Sequence, residues 1–193
     1  FARPDEASAN GLGEVARMSA EITLDKLGDR MSAADREIFT ATMDLVTPWL
    51  LAEHDRFALL HGDYRLDNML FYPDAASVTV VDWQTLGVGL PTRDLAYFTA
   101  TSLKPELRSA IENDLVDDYH RALSGYGVRD YDRETCWRDY RLGMPQALLI
   151  SALGFAFATA TDRGDDMVLT MLTRGCQAIR DLGTLELIGE HAD

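Results

Sequence analysis

Between residues 59 and 87 the chain reads LLHGDYRLDNMLFYPDAASVTVVDWQTLG, which sets His61, Asp63, Asn68 and Asp82 among short apolar, β-type runs. A carboxylate held at a fixed angle can orient a hydroxyl nucleophile and accept its proton, which makes Asp63 the candidate base. Oxygen ligands suit a hard cation that keeps several waters and phosphate oxygens, which makes Asn68 and Asp82 candidate ligands of Mg²⁺. Asn68 adds no charge, so such a site can still admit a polyanionic nucleotide. Taken singly, these residues have plainer descriptions. His61 alone describes a hydrogen-bonded turn or core histidine, and Asp63 and Asn68 alone describe turn formers whose side chains bond nearby amides. Asp67 reads as a loop residue. Tyr64 and Arg65 fit two descriptions equally: contacts to substrate or phosphate, or a half-buried ring and a solvated cation.

The elements that must position these groups follow from period and punctuation. Phe57 to Leu60, Met69 to Tyr72 and Ser77 to Val81 are short β-branched or apolar runs separated by polar turns, and they predict three small strands. Helical spacing surrounds them. Glu14 to Leu27 predicts a helix ended by Gly28, and Ser32 predicts the N-cap of a second helix reaching Leu50. After Pro91 the helical period returns over Arg93 to Leu103, Pro105 to Ser124, Arg133 to Thr161 with a break near Gly143 and Pro145, and Asp165 to Leu182. The fold class expected is α+β and mostly helical, with a small β insert that carries every unusual polar cluster. No repeat or linker divides the chain, so one domain is expected.

The spacing His-x-Asp-x₄-Asn from His61 to Asn68, with Asp82 closing the next strand, resembles the catalytic loop of protein kinases. The fuller wording, LLHGDYRLDNMLF followed by VTVVDWQTLGVGLPTRDLAYF, is similar to the aminoglycoside phosphotransferase and choline kinase-like family, and within it to the bacterial ecdysteroid kinase-like group. The resemblance implies a protein-kinase-like fold of which residues 1–193 form the C-terminal lobe. It also implies ATP-dependent transfer of the γ-phosphate to a hydroxyl of a small molecule. Asp63 is then the catalytic base, His61 organises the loop backbone, Asn68 and Asp82 bind Mg²⁺ and the nucleotide, and Asp94 braces the loop from a helix start. Two alternatives stand beside this: a non-catalytic kinase-like remnant or binding module, and a metal-dependent phosphohydrolase suggested by His54 and Asp55 near His61 and Asp63.

Two departures from the family pattern shape the expectation. Gly11 and Gly13 precede a helix rather than follow a strand, and Lys26 and Lys104, the only lysines, sit at helical positions. The nucleotide-binding N-terminal lobe is therefore expected to be a missing partner, and the chain alone is expected to turn over little or no ATP. Trp83 and Gln84 also follow Asp82 where protein kinases have Phe and Gly, so a permanently set metal site is expected rather than a regulatory swing.

Composition narrows the partners. Eighteen Lys and Arg against thirty-two Asp and Glu give a net charge of −14, which repels nucleic acid. Asp117, Asp118, Asp162, Asp165 and Asp166 could attract a cationic acceptor, though a solvated face describes them better. Cys136 and Cys176 form no zinc or disulfide pattern and suit a reducing, cytoplasmic setting. The uncharged stretch Leu142 to Thr161 is read as a closely packed buried helix rather than a membrane span.

Overall fold

The computed structural model describes residues 5–52, 56–73, 77–157 and 161–190. The chain is mostly helical with two small antiparallel sheets. Helix α1, Glu6–Leu27, begins eight residues ahead of the helix expected from Glu14, because Asp5 and Ser8 form a reciprocal capping box. Gly13 lies inside α1 as a contact point: a Cβ there would stand 2.2 Å from Thr47 Oγ1, so the glycine lets another helix approach and serves no phosphate loop. Helix α2, Ala33–Asp44, starts on Ser32, whose hydroxyl accepts from Asp35 N. The second helix does not run unbroken to Leu50. It stops at Asp44 and resumes as α3, Val46–Leu51, since Pro48 has no N–H to offer the Asp44 carbonyl.

Three strands fall where expected, β1 Ala58–Leu60, β2 Met69–Phe71 and β3 Val78–Val80, and a fourth, β4 Gly87–Gly89, lies outside the expected runs. Its Gly-Val-Gly sequence has little β preference of its own and is recruited by pairing with β1, Leu59 opposite Val88. β2 pairs with β3, and Val81 N extends that ladder onto Asn68 O.

The remaining helices are α4 Arg93–Ser102, α5 Pro105–Gly125, α6 Arg133–Leu142, α7 Pro145–Phe157, α8 Asp162–Leu182 and α9 Thr184–Gly189. The expected helix from Arg133 to Thr161 is thus two helices, with Gly143 ending the first and Pro145 starting the second; residues 158–160 lie outside the described residues. Helix α7 packs against α1 and α8 and buries Ala147, Leu148, Leu149, Ala152 and Phe155, which accounts for its uncharged sequence. No helix among the described residues is long and apolar enough to cross a membrane. The core runs through Phe39, Met43, Trp49, Tyr97, Tyr140, Leu148, Leu172 and Ile179. The loop after β1 lies against the start of α4 and of α7, which hold it by the hydrogen bonds of Asp94 and Gln146.

Candidate active site

The loop from His61 to Asn68 opens with a turn that favours glycine. Gly62 has φ 86°, and a Cβ there would meet the Thr85 carbonyl oxygen at 2.5 Å. Asp94, in the first turn of α4, receives His61 N on Oδ2 at 2.6 Å and Gly62 N on Oδ1 at 3.0 Å. One carboxylate therefore satisfies two successive amides of the loop. Gln146 of α7 donates Nε2 to Gly62 O at 2.8 Å and accepts from Arg93 Nε at 2.9 Å. Arg93 stacks over the Trp49 ring at 4.1 Å, and burial pushes its pKa down to about 10, so it remains charged at neutral pH.

His61 is buried and ties the two sheets together. Its Nε2 lies 2.9 Å from Val81 O, an atom that can only accept, so Nε2 carries the proton and Nδ1 is left to accept from Asp63 N at 3.3 Å. Thr85 Oγ1 donates to His61 O at 2.7 Å, and the Trp83 ring lies 4.7 Å from the imidazole. With both nitrogens engaged by the backbone, His61 fixes geometry.

The Asp63 carboxylate is held from two sides: Tyr97 OH donates to Oδ1 at 2.7 Å and Asn68 Nδ2 donates to Oδ2 at 2.9 Å. Arg65 Nε stands 3.3 Å from Oδ1 and offsets its charge. Burial first, and then the charge of Asp63, hold the Tyr97 phenol far above its usual pKa, so it stays a proton donor. Asn68 Nδ2 also reaches the Asp63 carbonyl at 2.8 Å, which leaves its Oδ1 without a donor among the described residues. Asp82 follows β3 closely. Val81, its neighbour, is anchored through N to Asn68 and through O to His61, so Asp82 emerges beside the loop as an exposed residue. Asp82 alone among the described non-glycine residues has positive φ, 65°. That conformation is costly for a side-chain-bearing residue and is sustained by the bonds on either side. Asp67 is exposed and pairs with Arg65 at 3.3 Å.

Sequence reasoning brought His61, Asp63, Asn68, Asp82 and Asp94 to this region but overlooked Tyr97 and Gln146. Tyr97 lies three residues after Asp94 on one helix face, a spacing legible in the sequence. Gln146 is the lone amide in the apolar stretch of α7, and a polar group buried there requires a partner.

A cavity of about 270 Å³ opens beside Asp63, walled by Arg65, Tyr97, Ile150, Phe155, Val168 and Met171 among others. Its walls are largely apolar. Of the five acids that could attract a cation, Asp165 reaches this cavity. Asp117 and Asp118 pair with Arg133 and Arg121, and Asp166 pairs with Arg30, so those charges are compensated away from it. Asp162 is exposed at the start of α8. Among the described residues no group of three His, Cys, Asp or Glu is placed to hold a metal. His120 bonds the Tyr131 carbonyl, while His54, Asp55 and His191 lie outside the described residues. Cys136 and Cys176 are buried free thiols, and Lys26 lies in α1.

The sequence model of the ecdysteroid kinase-like family matches residues 6–127, which include the whole loop, Asp82 and Asp94. The chain belongs to that kinase-like phosphotransferase family. Similar segments occur in acyl-CoA dehydrogenase family member 10 of Mus musculus, 42% identical over 28% of this chain and 6% of that protein. Others occur in acyl-CoA dehydrogenase family member 11 of Gallus gallus, 42% identical over 30% and 8%, and of Homo sapiens, 37% identical over 35% and 9%. The chain thus spans less than a tenth of the length of these relatives, and the dehydrogenase in their names describes those proteins. No solved structure matches the chain. The family match ends just after α5, so α7 and α8, which wall the cavity, lie beyond it.

Proposed function

We propose that residues 1–193 are the C-terminal lobe of an ATP-dependent phosphotransferase, related in fold to aminoglycoside phosphotransferases and choline kinases, that acts on a hydroxyl of a small and largely apolar molecule. The observation that carries the proposal is the Asp63 carboxylate, fixed by Tyr97 and Asn68 on the wall of an apolar cavity. A carboxylate has about four lone-pair sites, and the donors present leave Oδ2 one for an acceptor hydroxyl. Asp63 orients that hydroxyl and takes its proton as the phosphate is transferred. Tyr97 cannot compete for the proton because its phenol is held protonated. His61 and Asp94 keep the Gly62 peptide in the conformation that aims Asp63.

Asn68 Oδ1 and Asp82 fit a Mg²⁺ ion by donor type: both offer oxygens, one is charged, and the exposure of Asp82 leaves room for waters and phosphate oxygens. The ion, when bound, supplies charge neutralisation to the nucleotide phosphates. The other wall of the nucleotide cleft, a Gly-rich loop and a strand-borne Lys, is assigned to an N-terminal lobe. Leu70, Phe71, Tyr72, Val78 and Trp83 are exposed around β2 and β3, where such a lobe would find apolar surface to cover. The acceptor, rather than nucleic acid, is the second partner, and a cytoplasmic ATP pool suits the reaction.

The test is transfer of labelled γ-phosphate from Mg-ATP to a panel of alcohols by the two-lobe protein. Asp63→Asn should lower turnover by about 10³-fold while the chain keeps its fold, and the 193-residue chain alone should be inactive. Undiminished turnover by the variant, or phosphoester hydrolysis without nucleotide, would refute the reading.

A further inference from the structure

Beside the apolar cavity, and sharing Arg65, Met167 and Met171 with it, lies a second recess of about 260 Å³. It is closed by Thr101 and Ser102 at the end of α4 and by Thr170 and Arg174 of α8. The two spaces differ in chemistry, since this one adds Arg174 to the shared Arg65 and has the Ser102 hydroxyl, while the Thr101 and Thr170 hydroxyls already donate to the Tyr97 and Asp166 carbonyls. Arg65 is already balanced by Asp63 and Asp67. Arg174 is not. This half-buried residue donates one N–H, from Nη1, to Thr101 O at 2.9 Å and has no carboxylate partner among the described residues, in a chain with thirty-two Asp and Glu against eighteen Lys and Arg. A guanidinium has about five N–H donors, so Arg174 borders the recess with most of its hydrogen-bonding capacity and its full charge unmatched. Ser102 Oγ accepts from Leu66 N at 3.4 Å, which leaves its O–H free to donate as well.

We infer that the recess binds a carboxylate, and that the acceptor is a hydroxylated carboxylic acid. Its apolar chain would lie in the cavity, its hydroxyl at Asp63 and its carboxylate at Arg174. The inference rests on the phosphotransfer reading for the role of the hydroxyl, and on the recess alone for the carboxylate. A single negative charge fits better than a phosphate dianion, because one unmatched guanidinium offsets one charge and Asp67 borders the same space. Arginine also meets a carboxylate through parallel N–H bonds, which fixes the orientation of the whole molecule. Both Arg174 and the α7 wall lie outside the family-matched residues, so this selectivity belongs to the α6–α8 part of the chain.

The matched probes are 10-hydroxydecanoate and 1,10-decanediol, titrated calorimetrically into the 193-residue chain. The acid should bind more tightly than the diol, and added salt should weaken the acid alone. Arg174→Gln should reduce affinity for the acid about tenfold and leave the diol within about twofold, with retained diol binding serving as the folding control. Arg174→Lys, which keeps the charge and loses the fork, should fall between. Equal effects on both probes, no effect on either, or displacement of the acid by millimolar inorganic phosphate would overturn the inference. An acid that binds through Arg174 but is not phosphorylated by the two-lobe protein, when other alcohols are, would overturn the assignment of the acceptor; transfer to no alcohol at all would instead sink the phosphotransfer reading and leave the recess as a carboxylate site.

Discussion

The helical body and the β-bearing segment are stabilised in opposite ways. The body consists largely of long helices with their own local start signals, Asp5, Ser32, Asp132 and Thr161 as N-caps, and they meet over a continuous apolar core. The segment between residues 58 and 89 has strands of three residues each, paired only in twos, and leaves Leu59, Leu70, Phe71 and Trp83 exposed. Such sheets do not hold themselves together in water. Their geometry is imposed through Asp94 and Tyr97 of α4 and Gln146 of α7, so the loop from His61 to Asn68 is as exact as the helices that reach into it.

Substitutions put this contrast to the test. The largest effect is expected in the body: Arg108 is 1% exposed and pairs with Glu112 and Asp181, with Tyr140 donating to the same Glu112. Arg108→Ala strands Glu112 as a buried charge and should cost about 3–5 kcal/mol in urea unfolding of the whole chain. Gly62→Ala should cost at least about 2 kcal/mol, through strain at positive φ and the clash of its Cβ with the Thr85 carbonyl oxygen, felt mainly in the loop. Amides around residues 61–68 and 81–85 should exchange faster while the urea midpoint of the body moves far less. If that midpoint fell as far as for Arg108→Ala, the two regions would be one cooperative unit and the contrast would fail.

The effect that is smallest per group and per pH unit separates them by pH. Burial raises the Cys136 thiol to about 11 and the Cys176 thiol to about 12 from an ordinary 9.0. The body tyrosines Tyr119, Tyr131 and Tyr140 are also raised, each chiefly by burial. All these groups ionise earlier in the unfolded chain than in the folded one. The contribution of the thiols is therefore complete below about pH 9 and is lost as pH rises through the folded values, at about 1 kcal/mol per thiol between pH 9 and 10. Thermal melts from about pH 8 to 10.5 should show the decline, and Cys136→Ala with Cys176→Ala should flatten it. An unchanged slope in the double variant would show that the thiols take no part.

Much of this architecture was legible because it follows local rules. The strands at Ala58, Met69 and Val78, the Ser32 cap and the helix starting at Arg93 are all written in period and capping. The misses have physical causes. The early start of α1 depends on a capping box outside the apolar period, the break before α3 on a proline whose missing N–H orphans a carbonyl one turn back, and β4 on a partner strand that lends it an extended conformation. For the site, the types and order of His61, Asp63, Asn68, Asp82 and Asp94 were visible. Which of the acids beyond residue 104 would border the apolar cavity was not, because whether an Asp faces a cavity or a surface arginine is decided by packing.

Local chemistry was enough to specify which groups the loop carries, in what order, and on what kinds of element they sit, since side-chain type and spacing are properties of neighbouring residues. Packing alone settled that Tyr97 and Asn68 share the Asp63 carboxylate, that Gln146 holds the Gly62 peptide, and that an apolar cavity and the Arg174 recess lie side by side. The hydrogen bonds among these groups join residues up to 84 positions apart, and only the mutual placement of α4, α7 and α8 brings partners so distant in the chain within reach of one another.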